Sequence, residues 1–392
     1  MSFAPIQTAV LGVGLGGLTF HIPFVLALPQ YFTLRAVLER NPAQPGGKLA
    51  ARFGPEAAKG VTVYRTYEEV LADSEIELIV ISTPSETHYA LAKQALEAGK
   101  HGMYPAKIAR CPVTASAKDA YELGDLARAK QRVLYPFQNR RWDSDFLTLR
   151  KLLNLPPSDP RSLGTLVEFE SRFDRYRTVL KNTWKDLPIP ANGLTYDLGA
   201  HLIDQALVLF GRPQKITAFV ENVRGIGHKD VDDAFTIVLH YPPRDATTSL
   251  QPTSFTVILR SQFLSVRSTQ VRYVARGIQG TYTKYGIDAQ EEQLKAMSSP
   301  SEIMQSPEYG REPEALWGKV ENLTEMGEVV TSTWPSVEKG NYANLFVNLA
   351  ETIRDGKEQT IKWEESATVI EVIELAYQSA RKERTVAVPP QE

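Results

Sequence analysis

QTAVLGVGLGGLTFHIPFVL, residues 7–26, decides the reading of this chain. An apolar, β-prone run ends in Gly12, Gly14 and Gly17, a G-x-G-x-x-G, and an apolar segment of helical character follows. The spacing predicts a strand over 7–12, a tight turn, a helix and a second strand over 33–38, which is one βαβ unit. Each glycine has a distinct task in such a unit. The first makes the turn, the second lets a pyrophosphate approach the backbone, and the third allows the helix to pack close on the strand. Unpaired N–H groups at the start of the helix then face the phosphates. Glu39 ends the next strand, roughly 20 residues on, where a carboxylate can bond ribose hydroxyls. Arg40 beside it suits a 2′-phosphate, which Glu39 would repel, so NAD and NADP both stay open as cofactors.

The same stretch invites a different reading, since no charged residue stands between Met1 and Arg35. A signal peptide or anchor needs a basic start and an unbroken apolar span; here there is no basic start, and the glycines, His21 and Pro23 interrupt the span. No membrane association is expected. His21 reads as a packing histidine.

Outward from this unit the alternation continues, with a strand over 61–64, a helix over 67–72, an apolar strand over 76–82, helices over 88–98 and 117–130, and a strand over 132–137. IELIVIS has the continuous apolar character of a parallel strand buried on both faces. Beyond residue 137 the order changes to strands over 165–173, 215–222, 234–241, 254–261 and 270–276, with one strong helix over 196–210. Strands following strands predict an open, mainly antiparallel sheet with helices on one face. Residues 291–338, polar and rich in Pro and Ser, are read as loops, and 342–355 and 365–381 as closing helices. The expected fold is therefore α/β: a doubly wound, parallel Rossmann sheet in an NAD(P)-binding domain, residues 1–137, and a C-terminal α+β domain for substrate and oligomerisation, residues 138–392.

Composition narrows the function class. The 392 residues are 43% hydrophobic and 23% charged, as in a folded globular protein. With 44 Lys and Arg against 46 Asp and Glu there is no basic surplus for a nucleic-acid backbone. The single cysteine, Cys111, forms no internal disulfide, which suits the cytoplasm, and no metal-ligand spacing occurs.

Further on, STPSETHYALAKQALEAGKH (82–101), FQNRRWDSDFLTLRKLL, YDLGAHLIDQALVLFG, GTYTKYGIDAQEEQLKA and GNYANLF follow one another in an order that resembles the Gfo/Idh/MocA oxidoreductases over nearly the whole chain. The resemblance implies a nicotinamide site near the Thr83–Pro84 turn with His88 beyond it, and sugar, inositol or related polyol substrates handled as a homodimer or homotetramer. It implies a catalytic aspartate and histidine from D-x-x-x-H, matched by Asp197 and His201. Read from the residues alone, Asp197, His201 and Asp204 are the solvated stripe of an amphipathic helix whose apolar face holds Leu202, Ala206, Leu209 and Phe210.

The family's other motif, an acid-Lys-Pro that carries the catalytic lysine, is altered. In GKHGMYPAKIARCPVTAS the lysine's place falls on Ala106 counted from Gly99, or on Cys111 counted back from Pro112. Lys107 is the nearest substitute, or a loop lysine; the alternatives are lost catalysis or a misplaced exon boundary within 102–111. Gln138, Asn139, Arg140, Arg141 and Asp143 follow the last strand at the edge where such sheets bind ligands, so Asn139 and Arg140 are expected to touch substrate or else to form a hinge. Tyr342 and Lys284 are further candidates for substrate contact.

These readings converge on NAD(P)-dependent hydride transfer to or from a hydroxyl-bearing carbon of a carbohydrate or polyol. His201, with an ordinary imidazole pKa near 6.5, would exchange the hydroxyl proton, Asp197 would fix the ring and a lysine would stabilise the alkoxide. The alternative is a catalytically impaired NAD(P)-binding regulator of the same fold.

Overall fold

The computed structural model describes residues 4–104, 114–243 and 252–390. Along the first part of the chain run β1 (Ile6–Leu11), α1 (Ile22–Ala27), β2 (Phe32–Leu38), α2 (Gly47–Phe53), β3 (Thr62–Tyr64), α3 (Tyr67–Ala72), β4 (Leu78–Ile81), α4 (His88–Glu97), β5 (His101–Tyr104), α5 (Ala117–Ala129) and β6 (Leu134–Pro136). Then come α6 (Ser144–Leu153), β7 (Leu166–Arg172), α7 (Ala200–Phe210), β8 (Lys215–Glu221), β9 (Ala234–Tyr241), β10 (Phe255–Gln262), β11 (Val271–Gly277) and β12 (Gly280–Tyr285). The last are α8 (Gln290–Ala296), α9 (Glu302–Gln305), β13 (Gly318–Leu323), β14 (Val329–Trp334), α10 (Ala343–Asp355), α11 (Trp363–Lys382) and β15 (Val386–Ala387). No helix among the described residues is long and apolar enough to cross a membrane.

Two compact units result. The first comprises Met1–Asn139, Gln290–Tyr309 and Asn341–Thr368; the second comprises Arg140–Ala289, Gly310–Gly340 and Val369–Glu392. The chain leaves the first unit after Asn139 and returns to it twice.

In the first unit six parallel strands lie in the order β3-β2-β1-β4-β5-β6. All four residues of β4 are buried, as the continuous apolar run requires of a strand covered on both faces. Local chemistry sets the helix starts. Thr66 and Glu69 form a reciprocal capping box at α3, and Ser116 accepts the Asp119 N–H at α5. The returning segments join this core through side chains: Phe346 stacks on Phe24 with centroids 4.9 Å apart, and Arg354 holds Glu77 through two bonds of 2.7 and 2.8 Å. Strand β5 was not among the expected elements, because HGMY carries neither alternation nor β-branched residues.

In the second unit nine strands run in the order β14-β13-β12-β11-β7-β10-β9-β8-β15, antiparallel except for the β7–β10 pair. The α+β reading of this half therefore holds. Its core, packed by α6, α7 and α11, includes Phe146, Phe169, Leu202, Ile237, Tyr273 and Ile373.

Two expectations need correction. Residues 291–338 are not loops throughout, since most of α8, all of α9 and the β13–β14 hairpin lie in them. GKVENL alternates strictly between buried and exposed positions, while Val329 to Thr333 are exposed at the sheet edge, so the composition resembles that of a loop. The helix expected over 196–210 is not continuous either: a π turn, Thr195–Gly199, precedes α7.

Candidate active site

At the C-terminal edge of the parallel sheet the glycines meet three different surroundings. Gly12 has φ +98°, and a Cβ there would come within 2.5 Å of the Ser82 carbonyl oxygen. A Cβ on Gly17 would collide with the Gly12 carbonyl, whereas one on Gly14 would find nothing within 4 Å. The first and third glycines are thus forced by backbone packing, and the second borders open space of the kind a pyrophosphate needs. These residues fit a dinucleotide.

Glu39 lies at the end of β2, nearly buried, with Oε2 accepting the Lys48 N–H at 2.8 Å beside the start of α2. One carboxylate oxygen is thereby oriented by backbone. Arg40 is exposed and forms no ion pair or hydrogen bond among the described residues. Thr83 and Pro84 make the turn after β4. The Thr83 hydroxyl lies 2.7 Å from that of Thr87, and Thr87 donates to the Pro84 carbonyl at 2.6 Å. His88 is fully buried with Nε2 2.9 Å from the Thr83 carbonyl, so that nitrogen donates and the ring braces the turn.

Strand β6 delivers Gln138 and Asn139 to the same edge. Both are buried, yet both amide atoms of Gln138 and Oδ1 of Asn139 lack a hydrogen-bond partner among the described residues. Buried polar atoms left this way call for water or ligand. Lys107 lies outside the described residues, as does the rest of 105–113. Tyr342 is fully buried, its N–H donating to Gln290 Oε1 at 3.0 Å and its ring near Phe24, which gives that side chain to the core of the first unit.

In the second unit the polar stripe of α7 is not a solvated face. Asp197, His201, Asp204 and Gln205 are 7%, 2%, 2% and 1% exposed. Asp204 accepts from Arg141 at 3.0 and 2.7 Å, a two-pronged buried pair. Gln205 donates to the Arg140 carbonyl at 2.9 Å and accepts from Arg272 and Tyr273, each at 3.0 Å. Arg140, in the turn Asn139–Trp142, is buried against the Phe173 ring at 4.8 Å and donates to Asp143 at 3.3 Å. It therefore belongs to the network that holds α7. Lys284 is likewise fully buried, paired with Glu312 at 2.6 Å and donating to the Tyr285 carbonyl. Burial and the Asp145 carboxylate push Glu312 upward even against that lysine.

Sequence reasoning missed what holds the π turn. Asp232 accepts the Thr195 N–H at 2.7 Å, the Thr195 hydroxyl at 2.8 Å and the Tyr377 hydroxyl at 2.5 Å. Burial raises the Asp232 carboxyl above its ordinary range despite these donors. The only local signal was the VDD preceding β9, with nothing to link it to residues 195 or 377.

Comparison with known proteins agrees with this geometry. Residues 6–137 match the GFO_IDH_MocA oxidoreductase family's NAD-binding Rossmann fold, and residues 159–388 its C-terminal alpha/beta domain. The chain is 38% identical over 389 residues to the uncharacterized oxidoreductase C26H5.09c of Schizosaccharomyces pombe, covering 98% of this chain and 99% of that protein. It is 32% identical to the scyllo-inositol 2-dehydrogenase (NADP(+)) IolW of Bacillus subtilis, with 97% and 95% covered. Among solved structures, the Yersinia pestis oxidoreductase YPO2259 superposes with a TM-score of 0.83 at 31% identity, over 99% of this chain and 98% of that one.

Proposed function

Because this chain belongs to the Gfo/Idh/MocA family of NAD(P)-dependent oxidoreductases, we propose that it interconverts a secondary alcohol and a ketone on an inositol, sugar or related polyol. The observation that carries the reading is the burial of both Asp197 and His201, set on a π turn and the helix after it. A surface stripe has no need of such burial, and π turns recur at functional sites.

When bound, the nicotinamide ring accepts or returns the hydride. Gly12, Gly14 and Gly17 would hold the pyrophosphate, Glu39 the adenosine ribose, and the Thr83–Pro84 turn would border the nicotinamide ribose. With hydride passing between the substrate carbon and the bound cofactor, neutral His201 would take the hydroxyl proton as the alcohol becomes a ketone, and protonated His201 would give it back to the oxygen as the ketone is reduced. Asp197 orients the imidazole. Arg40, exposed beside Glu39, favours NADP(H), in line with the cofactor that the IolW relative's name carries. A second reading, an NAD(P)-binding regulator without turnover, is favoured by the altered acid-Lys-Pro motif.

Steady-state oxidation of scyllo-inositol and a panel of sugars with NADP+ or NAD+, with NADPH titrated in parallel, tests both. Turnover is expected, with His201→Asn slowing it about a hundredfold or more at unchanged NADPH affinity. Tight NADPH binding with no turnover of any alcohol, or of the matching ketones with NADPH, sinks the enzyme and leaves the regulator.

A further inference from the structure

We infer that Asp232 and Tyr377 form a positioning clamp for the proton-transfer machinery: together they hold the π turn that carries Asp197 and so set the register in which His201 follows. The inference rests on the reading of Asp197 and His201 given above.

The clamp is built at the entry to the turn. The Asp232 carbonyl accepts the Leu194 N–H at 2.9 Å, and Oδ2 accepts both the N–H and the hydroxyl of Thr195. Gly193 has φ +101° and lies so close to Oδ1 that any Cβ there would collide with it. The Asp197 N–H in turn donates to the Gly193 carbonyl at 3.0 Å. Asp232 therefore engages Leu194 through its backbone and Thr195 through its side chain, and leaves no room for a side chain at Gly193, whose carbonyl bonds the backbone of Asp197. From α11, the Tyr377 hydroxyl occupies Oδ1, and its ring stacks on Tyr196 with centroids 5.7 Å apart at 28°.

The donor set explains why a carboxylate is needed. Both oxygens face donors only, so an amide would turn an NH2 toward a donor. The neighbouring cation, Arg224, is committed to Asp233 at 2.6 Å, which leaves Asp232 held by hydrogen bonds. A π turn carries one residue more than the α-helical ladder would, and such insertions persist where the surroundings impose them. If the clamp loosened and the turn relaxed to α geometry, Asp197 would swing by about 100° around the helix axis, the angle per residue at 3.6 residues per turn. His201 itself would stay on α7 while its partner turned away. That is a loss of alignment without a loss of fold.

Tyr377→Phe in the full chain keeps the stacked ring and removes the hydroxyl. The measurements are kcat and KM for scyllo-inositol with NADP+, NADPH affinity, and the imidazole NMR resonances of His201 assigned by comparison with His201→Asn. The expected result is a fall of about tenfold in kcat, KM and NADPH affinity altered less than twofold, and displaced His201 resonances. Thr195→Ser, which keeps the hydroxyl, should behave as the parent, and Thr195→Val as Tyr377→Phe; these also serve if Tyr377→Phe folds poorly. Unmoved His201 resonances with unchanged kcat would overturn the clamp as a positioning device. If none of the alcohols is turned over, displaced resonances still uphold the clamp while the catalytic reading fails. If Tyr377→Phe slows a reaction that His201→Asn leaves intact, positioning through His201 is refuted.

Discussion

Two glycine-bearing entries into helices, Gly12–Gly17 in the first unit and Gly193–Gly199 in the second, build their sites by opposite means. The first works with backbone. Its geometry is dictated by backbone carbonyls, that of Gly12 within the motif and that of Ser82 just after the neighbouring strand β4, and its chemistry is the absence of side chains. The second works with side chains, Asp197 and His201, whose placement depends on Asp232, Tyr377, Arg141 and Arg272, distant in sequence. A site made of backbone shows in the sequence as a short run of glycines; a site made of buried side chains is distributed over the unit that holds it.

The strongest way to break that contrast is to remove one distant partner. Asp204→Asn leaves the Arg141 guanidinium buried without its carboxylate, and loss of one member of a buried pair costs about 3–5 kcal/mol. Urea unfolding should report a loss of that size, with NADPH affinity unchanged within about twofold. Stability equal to the parent would mean that α7 is held by local forces after all.

The glycines sharpen the contrast by separating folding from binding. Gly12→Ala places a Cβ against a carbonyl at positive φ and should cost about 3 kcal/mol of stability together with cofactor binding. Gly14→Ala meets nothing in the folded chain, so its Tm should stay within about 2 °C while NADPH binding weakens about a hundredfold, roughly 2.7 kcal/mol. Retained NADPH affinity in Gly14→Ala would mean that the open space beside it is not where the pyrophosphate lies.

The smallest effect concerns cofactor choice. Arg40→Ala should lower NADPH affinity about tenfold and leave NADH affinity unaltered, the equivalent of about 1.4 kcal/mol for one charge-assisted contact. Equal losses for both cofactors would remove Arg40 from 2′-phosphate recognition.

Where each element was legible depends on how it is stabilised. IELIVIS, the helix of Tyr67–Ala72 with its Thr66–Glu69 box and the run of Ala234–Tyr241 were read correctly because their own residues carry the period and the caps. Strand β14 was missed because an edge strand buries too little to show an apolar face, and β13 because, of its buried positions Gly318, Val320 and Asn322, only the valine is a large apolar residue. Asp197 and His201 stood out only through the family's D-x-x-x-H spacing. The residues alone pointed to a solvated stripe, and the Arg141, Arg272 and Tyr273 partners that bury it lie tens of residues away.

The sequence by itself determined the βαβ entry and the parallel pairing that follows from it, since these show in the period, length and glycine punctuation of successive segments. Tertiary structure alone decided that the stripe on α7 is buried, that Lys284 and Tyr342 belong to the interior, and that Asp232 and Tyr377 secure the π turn. Those facts are set by charges and hydrogen bonds between groups far apart along the chain, and the desolvation that makes each partner obligatory exists only once the core has closed around them.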